Sequence, residues 1–178
     1  ALAALVVTSD LGIPLTEAVT ALAEFRSTKR RAELVGWYNG AALYDDYAHH
    51  PHEVAAIIRA IKEWYPQRKL VVAFQSHTFS RTKALFAEFV AAFDLADKVC
   101  MIEIFPSARE AFDPSVTSDG LCQAINERAA TDKATNYHTL DELATHLQAK
   151  LDAEKVCLSV GAGDVYQVYD RLEGITHD

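Results

Sequence analysis

The sequence predicts an α/β fold: a Rossmann-like three-layer sandwich whose sheet is mostly parallel and begins with an antiparallel hairpin. Three observations lead there. Short apolar runs alternate with segments of helical periodicity over most of the chain, the pattern of a parallel sheet covered by helices on both faces. The runs at 69–74 and 155–160 are apolar almost throughout, as strands buried on both sides are. Asn39-Gly40 separates two strand-like runs, and that pair suits a type I′ turn because both of its central residues need positive φ.

The elements follow in order. Residues 1–11 are rich in Ala, Leu and Val and stop at Gly12, a helix-ending residue. Pro14 precedes a second helix over 16–25, with Val19, Leu22 and Ala23 at helical spacing. The basic stretch 26–31 marks a shift in composition and the expected domain boundary: 1–28 the helical end of one domain, 29–178 a second. Strands at 33–38 and 41–44 form the hairpin. A helix is expected over 51–65, with Pro51 in its first turn and Val54, Ile57, Ile58 and Ile61 on one face. A strand at 69–74, a helix at 82–93 and a strand at 98–104 come next. After them stand a helix at 117–128 capped near Thr117, a short strand at 134–137 and a helix at 140–151. The strand at 155–160 and a helix at 164–172 complete the pattern.

Composition narrows the function. A net charge of -8 argues against a nucleic-acid or anionic-membrane surface, while a local basic cleft for phosphates remains compatible with it. The 3 cysteines are far apart and form no C-x-x-C pair, which fits a reducing compartment. The apolar start, 1–7, is too short to span a bilayer. With no initiator methionine before it, these residues are expected to be a piece of a longer protein.

Ligands of an open parallel sheet bind beyond the carboxyl ends of its strands. Three polar segments are expected there: Asp45 to His50, Gln75 to Arg81, and Gly161 to Asp164. Asp45-Asp46 suits a metal, a ribose hydroxyl, a substrate amine or a helix cap, because carboxylates only accept hydrogen bonds. The run His49-His50-Pro51-His52-Glu53 suggests zinc, but Pro51 disfavours helical geometry at His50, and no metal site is assigned. Histidines beside a helix N-terminus suit an anionic ligand better. Arg81 offers a planar donor fork for carboxylate or phosphate. Gly161-Ala162-Gly163 lacks the third glycine of a dinucleotide fingerprint and reads as close backbone approach. The sequence holds no G-x-x-x-x-G-K-[S/T] loop.

Lys29-Arg30-Arg31, Asp45-Asp46-Tyr47-Ala48-His49-His50-Pro51, the segment from Phe74 to Thr82 and Gly161-Ala162-Gly163-Asp164 together resemble the Mur ligases of peptidoglycan synthesis. The resemblance covers nearly the whole chain. It is nearest to the members that add L-alanine to UDP-N-acetylmuramate, with the murein-peptide recycling ligases as a second choice. It implies a three-domain, cytoplasmic enzyme of which this chain is the C-terminal part and the end of the central ATPase domain. Its missing N-terminal and central domains would be its partners, its substrates UDP-N-acetylmuramate, L-alanine and ATP, and its cofactors ATP with Mg2+, none held by this part alone. By the same resemblance Arg31 meets the ATP phosphates and Asp46 the ribose. Tyr47, His49, His77 and Arg81 face the alanine, Arg81 as the carboxylate clamp. Ala32, Ser76 and Thr78 depart from the family pattern. A module that binds an anionic small molecule without chemistry is the competing expectation.

Overall fold

The computed structural model describes residues 2–25, 28–108 and 110–177; Arg26 and Ser27, at the expected domain boundary, lie outside them. Six strands form one sheet: β1 (Glu33–Tyr38), β2 (Ala41–Asp46), β3 (Lys69–Phe74), β4 (Lys98–Met101), β5 (Ala134–Asn136) and β6 (Lys155–Val160). Their order is β1-β2-β6-β3-β4-β5, with β1 antiparallel to β2 and every other pairing parallel. The hairpin turns on Asn39 and Gly40, at φ 49° and 80°, as a type I′ turn demands.

The helices are α1 (Leu2–Asp10), α2 (Leu15–Glu24), α3 (Pro51–Trp64), α4 (Phe79–Ala84), α5 (Phe86–Ala92), α6 (Ser118–Ala129) and α7 (Leu140–Lys150), with a closing 3-10 helix (Val165–Arg171). Alternate strand residues serve opposite faces. Leu70, Val72 and Phe74 meet Val54, Ile58 and Ile61 of α3, Phe89 of α5 and Leu121 of α6. Val71 and Ala73 meet Leu143 and Leu147 of α7 and Val165 and Val168 of the 3-10 helix. Each large side chain so buried contributes about 1.5–3 kcal/mol. The α1 helix buries no residue and α2 only Ala18, and an apolar groove of about 410 Å³ lies between them.

Four elements differ from expectation. The β2 strand runs on through Asp45 and Asp46, fully buried, because β6 pairs with it as far as Val160. The helix expected over 82–93 starts earlier and breaks at Leu85. The Thr82 hydroxyl bonds back to the Thr78 carbonyl at 2.7 Å, a contact that bends helices. The β4 strand ends at Met101, since β5 offers only three residues to pair with. The last helix is 3-10, with the N–H groups of Asp164 and Val165 drawn to the Gln75 side chain at its start.

Candidate functional site

The carboxyl ends of β2, β6 and β3 lie side by side, so the three expected segments do share one rim. Two different assemblies occupy it.

The first is built around Arg30. Its Nε donates to Asp45 at 2.9 Å, and its Nη2 and Nη1 to the carbonyls of Gly161 and Gly163 at 2.6 and 3.4 Å. The guanidinium also lies over the rings of Tyr166 and Tyr47, at 4.2 and 4.9 Å. Asp45 takes a second bond from the Ser159 hydroxyl at 2.5 Å. Burial pushes its carboxyl pKa up, against the pull of Ser159 and Arg30. Gln75 closes the neighbouring gap, accepting from Asp164 and Val165 and donating to the Glu103 carbonyl. A side chain at Gly163 would crowd the Gln75 amide and the Cβ of Phe105, the latter at 2.9 Å. The close approach expected of Gly161-Ala162-Gly163 is therefore to Gln75 and Arg30 of the same chain.

Asp46 turns the other way. Its Oδ2 accepts from Ala32 N at 2.8 Å and its Oδ1 from Ala48 N at 2.7 Å. It thus fixes the loop carrying Arg30 and Arg31, in which Arg30 and Ala32 both have positive φ. Neither aspartate caps α3. That cap is His50, whose Nδ1 accepts from His52 N at 3.3 Å, while Glu53 accepts from the N–H groups of His49 and His50. The His50 Nδ1 is thus engaged in the helix start.

The second assembly is a row of side chains. Arg31 lies 5.7 Å from the Tyr47 ring, Tyr47 meets His49 edge-on at 5.5 Å, and His49 meets His77 at 6.4 Å. His77 stacks on Phe105 at 5.7 Å and feels the charge of Arg81. Among the described residues, His77 Nδ1 and Arg81 Nη1 are the buried side-chain atoms without a hydrogen-bond partner. Burial first, then Arg81 and His49, holds the His77 pKa below its ordinary value, with Glu110 pulling the other way. A neutral imidazole and a permanent cation thus stand together with hydrogen-bonding capacity to spare. The arrangement suits a small anion bearing an uncharged or hydrogen-bonding group beside it.

Sequence reasoning placed Tyr47, His49, His77 and Arg81 in segments of one rim, and the fold lines them up with Arg31 beside Tyr47. It missed Arg30 as the organiser of Asp45, and it missed Glu110, which accepts from the N–H groups of Phe79 and Ser80 at 2.7 Å each. Thr78, a departure from the family pattern, caps α4 at φ 72°. Elsewhere, Glu103, Asp119 and His138 bring ligand atoms within 4.8 Å of one another, and the Asn136 amide bridges all three.

Residues 30–163 match the family model described as Mur ligase, glutamate ligase domain. The chain belongs to the Mur ligase family. It is 44% identical over 168 residues to the UDP-N-acetylmuramate–L-alanine ligase of Acidithiobacillus ferrooxidans, a match covering 93% of this chain and 35% of that protein. It therefore spans about a third of the curated relatives it matches. Among solved structures it resembles UDP-N-acetylmuramate-alanine ligase MurC of Thermotoga maritima, with a TM-score of 0.73 and 26% identity over 94% of this chain and 34% of that one. The MurF ligase of the same organism, solved in complex with ADP, shares the fold at a TM-score of 0.66 and 18% identity, over 94% of this chain and 35% of that one. No described helix of this Mur ligase chain is long and apolar enough to cross a membrane.

Proposed function

We propose that this chain is the amino-acid-accepting part of a cytoplasmic, ATP-dependent ligase that adds L-alanine to UDP-N-acetylmuramate in peptidoglycan synthesis. Residues 29–178 are its C-terminal domain and 1–28 the end of its central ATPase domain. The observation that carries the reading is the row Tyr47, His49, His77 and Arg81, with its two unpartnered buried nitrogens, in a chain whose relatives bear that name. The start of the family match at residue 30 and the mutual packing of α1 and α2 support the division.

In this reading ATP transfers its terminal phosphoryl group to the muramyl carboxylate, and ADP leaves. The amine of L-alanine attacks the acyl carbon, phosphate departs, and the amine loses a proton. Crowded negative charge makes cationic clamps and positioning the main needs. Arg81 grips the alanine carboxylate, His77 and His49 line its flank, and Tyr47 divides them from Arg31, which serves the ATP phosphates. Asp46 fits a ribose hydroxyl in one respect: each carboxylate oxygen has accepted one N–H and keeps a lone pair. Asp45 is committed to Arg30 and Ser159, so Mg2+ and the P-loop are supplied by the remaining domains. The test is the full-length enzyme with UDP-N-acetylmuramate, ATP, Mg2+ and a panel of amino acids. Phosphate release that depends on L-alanine supports the reading. Release that needs a peptide instead favours the murein-peptide recycling activity, and none with any amino acid leaves a module that binds anions.

A further inference from the structure

The helix carrying Arg81 does not begin as helices usually do. Thr78 stands at φ 72°, an uncommon conformation for a β-branched residue that the surroundings must impose. Its hydroxyl reaches only the Arg81 N–H, at 3.4 Å. The N–H groups of Phe79 and Ser80 are taken instead by the two carboxylate oxygens of Glu110, which arrives from the irregular segment between β4 and α6. Hydrogen bonding to the Ser80 hydroxyl and these N–H groups keeps the Glu110 carboxyl below its ordinary pKa, so it is an anion at neutral pH. The same segment meets the loop at two further points: Thr78 N donates to the Phe105 carbonyl at 3.0 Å, and Phe105 forms the stacking floor of His77.

We infer that Glu110 is a positioning residue for the amino-acid clamp, acting through the backbone of Phe79 and Ser80 to hold His77 and Arg81 at their working separation. It rests on the reading of that row as the amino-acid site. A carboxylate can satisfy both N–H groups at once, whereas an amide offers one acceptor and turns its NH2 toward the other donor. Glu110→Gln therefore removes half of the grip while keeping the side-chain volume, and Glu110→Asp keeps both oxygens and the charge.

The experiment uses the full-length ligase with four variants: Glu110→Gln, Glu110→Asp, Arg81→Ala and Lys83→Ala. The last breaks only the exposed tie between Lys83 and Asp113 that joins the same two segments. A displacement of about 1 Å at a clamp costs up to about a hundredfold, and Glu110→Gln, a partial loosening, is expected to raise the KM for L-alanine about tenfold. The KM for ATP and kcat should stay within about twofold, Glu110→Asp should recover most of the loss, and Lys83→Ala should match the parent. An unchanged L-alanine KM in Glu110→Gln, beside a raised one in Arg81→Ala, overturns the role of Glu110 and leaves the site standing. Equal losses toward ATP and L-alanine also overturn it, since they report general loosening. An unchanged L-alanine KM in Arg81→Ala overturns the site itself, and the positioning role with it.

Discussion

The two assemblies on the rim each contain an arginine and use it to opposite ends. Around Arg30, an arginine, an aspartate, a serine and a glutamine satisfy one another and the Gly161–Gly163 backbone almost completely. In the row of Tyr47, His49, His77 and Arg81, the buried Nδ1 of His77 and Nη1 of Arg81 are left without partners. Buried polar groups that are satisfied hold a fold together, and those the protein leaves open cost free energy that a water or a ligand can return. The difference separates architecture from binding more sharply than residue type does. It also explains why the crevice between β3 and β6, where the strand order reverses and α/β ligands often sit, is not the open one here: Gln75 fills it.

The largest effect should come from the closed side. Arg30→Ala leaves Asp45, whose side chain is 4% exposed, without its cation. A fall of about 3 kcal/mol in unfolding free energy is expected by denaturant titration. A loss below about 1 kcal/mol would break the comparison by showing that this network, too, is dispensable to the fold. Next in size is Arg81→Ala on the open side. The full-length enzyme should show a rise of about thirtyfold in the KM for L-alanine, equivalent to ~2 kcal/mol. The stability of the chain should change by less than about 0.5 kcal/mol. Ser159→Ala removes one donor from buried Asp45 and should cost about 1.5 kcal/mol of stability by the same titration, with no selective effect on alanine.

The smallest effect is in pH. The folded-state pKa of His77 lies below its ordinary 6.5, so its contribution to stability is complete above that value and is lost as pH falls through the folded one. Arg81 and His49 oppose its protonation and Glu110 favours it. His77→Asn should therefore flatten the fall in unfolding free energy between about pH 7 and pH 5. An identical slope in parent and variant would remove His77 from the acid response.

Where a local signal decided the structure, the sequence was readable. The strands Lys69–Phe74 and Lys155–Val160 are buried along nearly their whole length, and their apolar runs end where the strands end. The hairpin could be placed from Asn39-Gly40 alone. Asp45 and Asp46 looked like loop because two adjacent carboxylates rarely lie inside a strand. They do so here because Arg30, Ser159 and the backbone of Ala32 meet them from elsewhere in the sequence, and the nearby Ala48 N–H adds one more bond. The grip of Glu110 was hidden for the same reason, since it reaches Phe79 and Ser80 from a segment beyond β4. The break at Leu85 was hidden because it turns on one side-chain bond, from Thr82 to the Thr78 carbonyl. The row of site residues was visible as motifs, but its order, and which member was left unpartnered, came only from the fold.

The place of β6 in the sheet has a temporal meaning. Tyr47 and His49 follow β2, His77 and Arg81 follow β3, and these two strands are not neighbours: β6 lies between them. During synthesis both halves of the row leave the ribosome long before residues 155–160 do. Until that strand arrives, the position between them is vacant, and neither half has a fixed distance to the other. The most sequence-distant pairing in the sheet is thus also the step that creates the binding row, a late and slow closure of the kind that non-local parallel strands impose. A nascent chain cannot hold its amino acid early.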